Sequence, residues 1–238
     1  MIARLAAAAT LIAALAVPAQ AERRGYTLTA FDRIIVNGPF VVRLSTTQPG
    51  QDYAEGDARA IEQISVQITG RTLTVRRNVS GNWGGYPGEG NGAATLYLTT
   101  PNLTQATVIG TGDLEIDRME GGQVIASLGG NGRLAVREFD ADNVALSLTG
   151  AGGIEAGGHG ETGRITVQGA GTVSAQALTI EDLSVNLNGP GMIEVTADRE
   201  AEIVANGNGN VTVYGDAACT DRSVGSGSVQ CGGFLGRR

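Results

Sequence analysis

Lysine is absent from this chain. All 17 basic residues among its 238 are arginine, against 24 acidic residues and a single histidine, and the net charge is −7. An acidic chain without a basic stripe cannot neutralise a run of phosphates, so nucleic acid is not an expected partner and anionic membrane surfaces are disfavoured. Two cysteines and one histidine are too few for a zinc site, and no motif for another metal or an organic cofactor is present. Aromatic residues make up only 4% of the chain, with one tryptophan. After Val17 no apolar run approaches the length of a membrane-spanning helix.

The run before that point reads as an export signal. Arg4 supplies a short positive region, and Leu5 to Val17 supply an apolar one that Pro18 ends. Ala19-Gln20-Ala21 then has the small-x-small form that a signal peptidase cleaves. The expected mature chain starts at Glu22 and contains no transmembrane segment. No cysteine lies near the cleavage point, which excludes a lipoprotein anchor. The periplasm, the cell surface and the extracellular space are the compartments that remain.

Glycine is what the chain has in excess: 37 residues, roughly twice ordinary usage. Seven Gly-x-Gly triplets begin at Gly110, Gly130, Gly150, Gly169, Gly189, Gly207 and Gly225, at intervals of 20, 20, 19, 20, 18 and 18 residues. Apolar side chains flank each triplet at even offsets. Val108, Leu128, Leu148, Val167 and Leu187 stand two before the first glycine; Leu114, Leu134, Ile154, Val173 and Ile193 stand four after it. Odd offsets are mostly polar: Asp113, Glu115, Arg133, Glu155, Ser174, Glu194. Strand side chains alternate between faces, so the even positions form one buried face throughout.

Each triplet is then a corner at which two short strands bend around the core, and an inward Cβ there would meet its neighbours above and below. Pro190 stands in the middle of one corner, whose ladder does not need that amide. The pattern predicts an all-β fold, a single-stranded right-handed parallel β-helix (β-solenoid) with 18–20-residue rungs. Stacking is obligatory, because one rung cannot bury its apolar face alone. Propeller blades need about 40 residues each, and the calcium-binding nonapeptide roll needs an Asp where Gly130-Asn131-Gly132-Arg133 has Arg.

The expected organisation is a signal peptide over 1–21, a lead-in over 22–30, the solenoid over 31–231 with an insertion at 78–92, and a tail over 232–238. Asn37-Gly38-Pro39 is a degenerate copy of the corner, Asp57 to Gln63 one helical turn, and Thr69-Gly70-Arg71 the turn of a hairpin. This segment is expected to begin the solenoid and cover its first edge. The Gly-rich insertion carries Trp83 and Tyr86, a candidate aromatic platform for a glycan or a cell-surface protein.

No catalytic set emerges. His159, in a Gly-rich turn, has no nucleophile motif to serve. Glu115, Glu155 and Glu194 share an outward column on alternate rungs. Two rungs span roughly 9–10 Å, marginal for an inverting glycosidase pair and too far for a retaining one. Cys219 and Cys231 stand six before and six after Gly225, at positions that earlier rungs fill with pairs such as Val124 and Val136. They are expected to form a disulfide across an otherwise polar last rung, worth about 2–3 kcal/mol for so short a loop.

Phe31-Asp32-Arg33-Ile34-Ile35-Val36-Asn37-Gly38, Thr72-Leu73-Thr74-Val75, the stretch Tyr97-Leu98-Thr99-Thr100-Pro101-Asn102-Leu103 and the Gly-x-Gly rungs together resemble the head GIN domain, a bacterial family described as putative auto-transporter adhesins. The resemblance covers roughly Phe31 to Cys231 and implies an exported parallel β-helix with an adhesive or surface role. It brings no catalytic residues with it. The two readings are a non-catalytic binding or structural module and, as the alternative, a carbohydrate-active β-helix enzyme, a lyase or hydrolase.

Overall fold

The computed structural model describes residues 22–78 and 93–233. The strands of its irregular start are β1 (Glu22–Tyr26), β2 (Arg33–Asn37), β3 (Val41–Ser45) and β4 (Asp52–Gly56), then, after helix α1 (Ala58–Glu62), β5 (Ile64–Thr69), β6 (Thr72–Arg77), β7 (Ala94–Thr99) and β8 (Gln105–Gly110). Regular turns follow: β9 (Asp113–Gly130), β10 (Arg133–Gly150), β11 (Gly153–Gly169), β12 (Thr172–Asn188) and β13 (Met192–Gly207). The stack closes with β14 (Asn210–Tyr214), β15 (Ala218–Asp221), β16 (Val224–Gly225) and β17 (Ser228–Gly233). The architecture is a parallel β-solenoid, as the repeat predicts.

Each long strand is a whole turn paired in parallel with the turns on either side. Leu134, for instance, lies between Leu114 and Ile154, and Leu148 between Leu128 and Val167. The apolar positions at even offsets are buried, and the core runs the length of the stack.

The two glycines of a corner are required for different reasons. Gly130 has φ +122°, a conformation that side-chain-bearing residues rarely adopt, and an added Cβ would stand 2.3 Å from the Gly110 carbonyl oxygen. At Gly132 no left-handed φ is involved, yet a Cβ would stand 2.2 Å from the Gly112 carbonyl oxygen. The amides of Asn131 and Gly132 both donate to that of Gly110 (2.9 and 3.0 Å). The pair recurs one turn on, where Ala151 and Gly152 donate to the Gly130 carbonyl oxygen (3.1 and 3.0 Å); Pro190, in the middle position of its own corner, has no amide to give.

A turn has more sides than the alternation shows. In β10 the buried inward side chains are Leu134 and Val136, then Phe139 and Ala141, then Val144, Leu146 and Leu148, while the outward Ala135 is small enough to be covered as well. The steps of three between these groups mark two further bends, and a short third face carries Met119, Phe139, Leu178 and Ile180 at the core. In the turn between, Gly158, Gly160 and Gly163 make room for Phe139, Val144 and Ile180. On this face the small Gly158 lies between Phe139 and Leu178 and the small Gly160 between Ala141 and Ile180, which keeps the packing close.

The start of the stack is interleaved. Strand β2 lies between β6 and β8, and β3 lies between β7 and β9, all in parallel. The chain thus lays its second turn first, goes out to the end of the rod, returns to build the first turn, and then crosses to the third. At the outer edge the pairing becomes antiparallel: β5 forms the expected hairpin with β6, β4 pairs with β7, and β1 pairs with β4. The helical turn is capped by Asp57, which accepts from the amides of Arg59 and Ala60, and it buries Ile61. This segment covers the first edge, where an open parallel strand would otherwise lie.

The other end is finished differently. Cys219 stacks on Ala201 and Cys231 on Val213, and the two form the expected disulfide, with Cα atoms 6.5 Å apart. Both cysteines point into the turn yet are exposed, because among the described residues nothing lies above them.

Candidate functional site

Alternation and register together build one outward column. Leu96 and Leu98, Val42 and Leu44, and Leu114 and Ile116 are buried, so Tyr97, Arg43 and Glu115 between them point outward. In the antiparallel β4 the buried Ala54 sends Tyr53 the same way. Register then sets Tyr53, Tyr97, Arg43, Glu115, Ala135, Glu155, Ser174 and Glu194 side by side along the rod. The rings of Tyr53 and Tyr97 stack with centroids 4.8 Å apart and planes 21° from parallel. The guanidinium of Arg23 lies 4.1 Å above the Tyr53 ring and pairs with Glu55 at 3.2 Å.

Next along the column, the carboxylate of Glu115 is held on both sides, one oxygen by Arg43 and the other by Arg137. The hydrogen bond from Arg137, outweighing partial burial and aided by the charges of Arg43 and Arg133, holds its carboxyl below the usual range. Glu155 is gripped by both ends of the Arg133 fork (2.9 and 2.7 Å), which lowers its pKa in the same way. Glu194 accepts from Gln176 at 2.8 Å.

A loop over 46–51 forms one wall, and Asp117 fixes it. Its carboxylate accepts from the Ser45 hydroxyl (2.6 Å), the amide and hydroxyl of Thr46 (2.8 and 3.0 Å) and the Thr47 hydroxyl (2.6 Å). Burial alone would raise this carboxyl's pKa. The donors from Ser45, Thr47 and Thr46 overcome that and push it well below the usual carboxylate range. Between this loop and the column lies a groove of about 460 Å³, lined by Tyr53, Tyr97, Arg43, Glu115, Arg137 and Pro49 among others. A shallower trough of about 580 Å³ continues from Arg137 along Ala135, Glu155, Gln176 and Glu194.

His159 is exposed on the third face, in register with Asp140 and Thr179, and no part of this groove. Trp83 and Tyr86, on the stretch between β6 and β7, lie outside the described residues. Glu115, Glu155 and Glu194 do share the expected column. Tyr53, Tyr97, Arg43, Arg137 and Asp117 escape the sequence reading. Only Tyr97 leaves a local sign, an aromatic at the outward position between two buried leucines. Among the described residues no three His, Cys, Asp or Glu side chains are grouped as a metal would require, and no helix is long and apolar enough to cross a membrane.

Fold and surface thus define a parallel β-solenoid that presents a walled, polar groove with an aromatic end on one long face. The chain belongs to the family described as putative auto-transporter adhesin, head GIN domain, whose sequence profile matches residues 30–217. Similar crystal structures include a putative adhesin (BF0245) from Bacteroides fragilis NCTC 9343, with TM-score 0.71 and 15% identity, covering 90% of this chain and 97% of that one. A putative lipid binding protein from Parabacteroides distasonis ATCC 8503 superposes with TM-score 0.69 at 16% identity, covering 90% and 97%. A putative adhesin from the same organism gives TM-score 0.66 at 17% identity, covering 90% and 98%. At these identities the likeness is one of fold. No curated protein matches the chain.

Proposed function

We propose that this protein is an exported, non-catalytic binding module of the adhesin type, and that its recognition surface is the groove between the 46–51 loop and the Tyr53–Tyr97 stack. The observation that carries this reading is the state of the groove's acids. A glycosidase needs one carboxyl kept protonated near neutral pH. Here Glu115 and Glu155 are each clamped by arginine and biased toward the charged form, and Asp117 is spent on fixing the loop. Such groups hold a surface rigid for binding; they are not poised to move protons. Family membership supports a surface or exported role, and a disulfide suits an oxidising compartment.

The test is an array of bacterial and host glycans and surface proteins probed with the chain from Glu22 onward, followed by product analysis of every ligand that binds. Binding without cleavage, weakened by Tyr53→Ala with Arg43→Ala, is the expected result. Cleavage of a bound glycan would make the protein an enzyme and overturn the reading. The Trp83→Ala/Tyr86→Ala variant on the same array tells whether that segment adds to the surface.

A further inference from the structure

The groove and the trough share Arg137 and run in one direction, along the rod axis. We infer that together they form a single track for an extended, neutral glycan lying parallel to the solenoid axis, with its end against the Tyr53–Tyr97 stack. This rests on the binding role proposed above and names the ligand class for that surface.

Three observations converge on it. The first is length: the column from Tyr53 to Glu194 crosses seven strand-to-strand steps, and each step is ~4.8 Å, about the advance of one sugar in an extended β-1,4-linked chain. Such a chain flips at every sugar and so presents the same edge again at every second one. Glu115, Glu155 and Glu194 recur at every second step, with the small Ala135 and Ser174 between them. Two steps of the column therefore come close to one two-sugar repeat of the ligand.

The second observation is charge. Arg43, Arg137 and Arg133 face Glu115, Asp113 and Glu155 in hydrogen-bonded or close ion pairs. Glu194 adds a carboxylate whose partner here is the neutral Gln176. Asp117, held by neutral donors, adds another, so the lining carries more carboxylates (Glu115, Asp117, Glu155, Glu194) than arginines (Arg43, Arg137) and offers no gain to an acidic polysaccharide. It presents a dense set of donors and acceptors to hydroxyl groups. The third is shape: the trough over Ala135, Ala156 and Ala177 is shallow and open, not the enclosed bed an acyl chain needs, and guanidinium, carboxylate, amide and hydroxyl groups stand along it. The aromatic stack at one end supplies the apolar contact that a sugar ring takes.

Chito-oligosaccharides from the disaccharide to the octasaccharide, titrated by calorimetry into the disulfide-intact chain, test the track. Affinity should climb at least ~10-fold with length before levelling off. Gln176→Ala with Glu194→Ala, both on the outer surface, should remove that gain with length while the thermal midpoint holds. Tyr53→Ala should weaken every length. Affinity that levels off at the disaccharide, or a length gain that survives the Gln176/Glu194 changes, would overturn the axial track and leave the binding role standing. Tighter binding of polygalacturonate than of the octasaccharide would overturn the neutral-ligand assignment. Failure of every glycan, with a protein partner found on the array, would remove the glycan inference alone.

Discussion

Thr100 and Phe31 grip each other across the start of the solenoid: the Thr100 hydroxyl donates to the Phe31 carbonyl oxygen and accepts from the Phe31 amide at 3.4 Å. Both residues are buried. This contact pins the stretch that carries the chain from β7 over the second turn to β8. Thr100→Val keeps the shape and leaves two buried main-chain groups without that partner, so it should destabilise by about 1–3 kcal/mol in urea unfolding. Thr100→Ser should stay near wild type.

The corner glycines separate steric from conformational need. Gly132→Ala drives a methyl group against the Gly112 carbonyl without any left-handed φ, and should cost at least ~3 kcal/mol. Gly129→Ala is the control: its Cβ would find nothing nearer than 4.0 Å, and the neighbouring turn has Thr149 at the paired position. That change should be neutral or stabilise by up to ~1 kcal/mol, because it stiffens the unfolded chain.

Reducing the Cys219–Cys231 disulfide, or replacing both cysteines with serine, should loosen β15 to β17 before anything else. Hydrogen exchange there should accelerate while β9 to β12 stay protected, since each turn contacts only its neighbours. The loss in stability should be at most about 3 kcal/mol.

Asp117 links stability to pH. Its folded pKa lies below its unfolded value, so its contribution is complete above the unfolded pKa of about 3.9 and is lost as pH falls toward the folded one. Wild type should therefore lose stability steadily on acidification below about pH 5. Asp117→Asn should be less stable than wild type at neutral pH and show a flatter acid limb, read as urea midpoints across the range.

Two things could be read from the residues: which side chains of the flanking strands face inward, and where the corners lie. Period-two alternation is a property of one strand and needs no partner. The third face was hidden because Met119, Phe139 and Leu178 sit at odd offsets from their corners, after a bend that resets the count. The order of the first turns was hidden for another reason. Nothing local says that Ile34 will pair with both Leu73 and Ala106. The groove inherits that difficulty, since Tyr53 meets Tyr97 through an antiparallel strand of the cap, and Arg137 reaches Glu115 across turns.

The interleaved start also sets a clock on folding. A nascent chain emerging N-terminus first, whether from a ribosome or through a membrane channel, holds β2 with no parallel neighbour until β6 appears and β3 with none until β7, and each has only one side satisfied until β8 and β9 follow. About half the polypeptide must be out before the second turn is enclosed. After that, each further twenty residues or so can dock on a finished surface as they arrive. Growth is delayed and then directional, which keeps the early segment threadable while it matters and lets the remainder of the rod form in the order in which it is delivered.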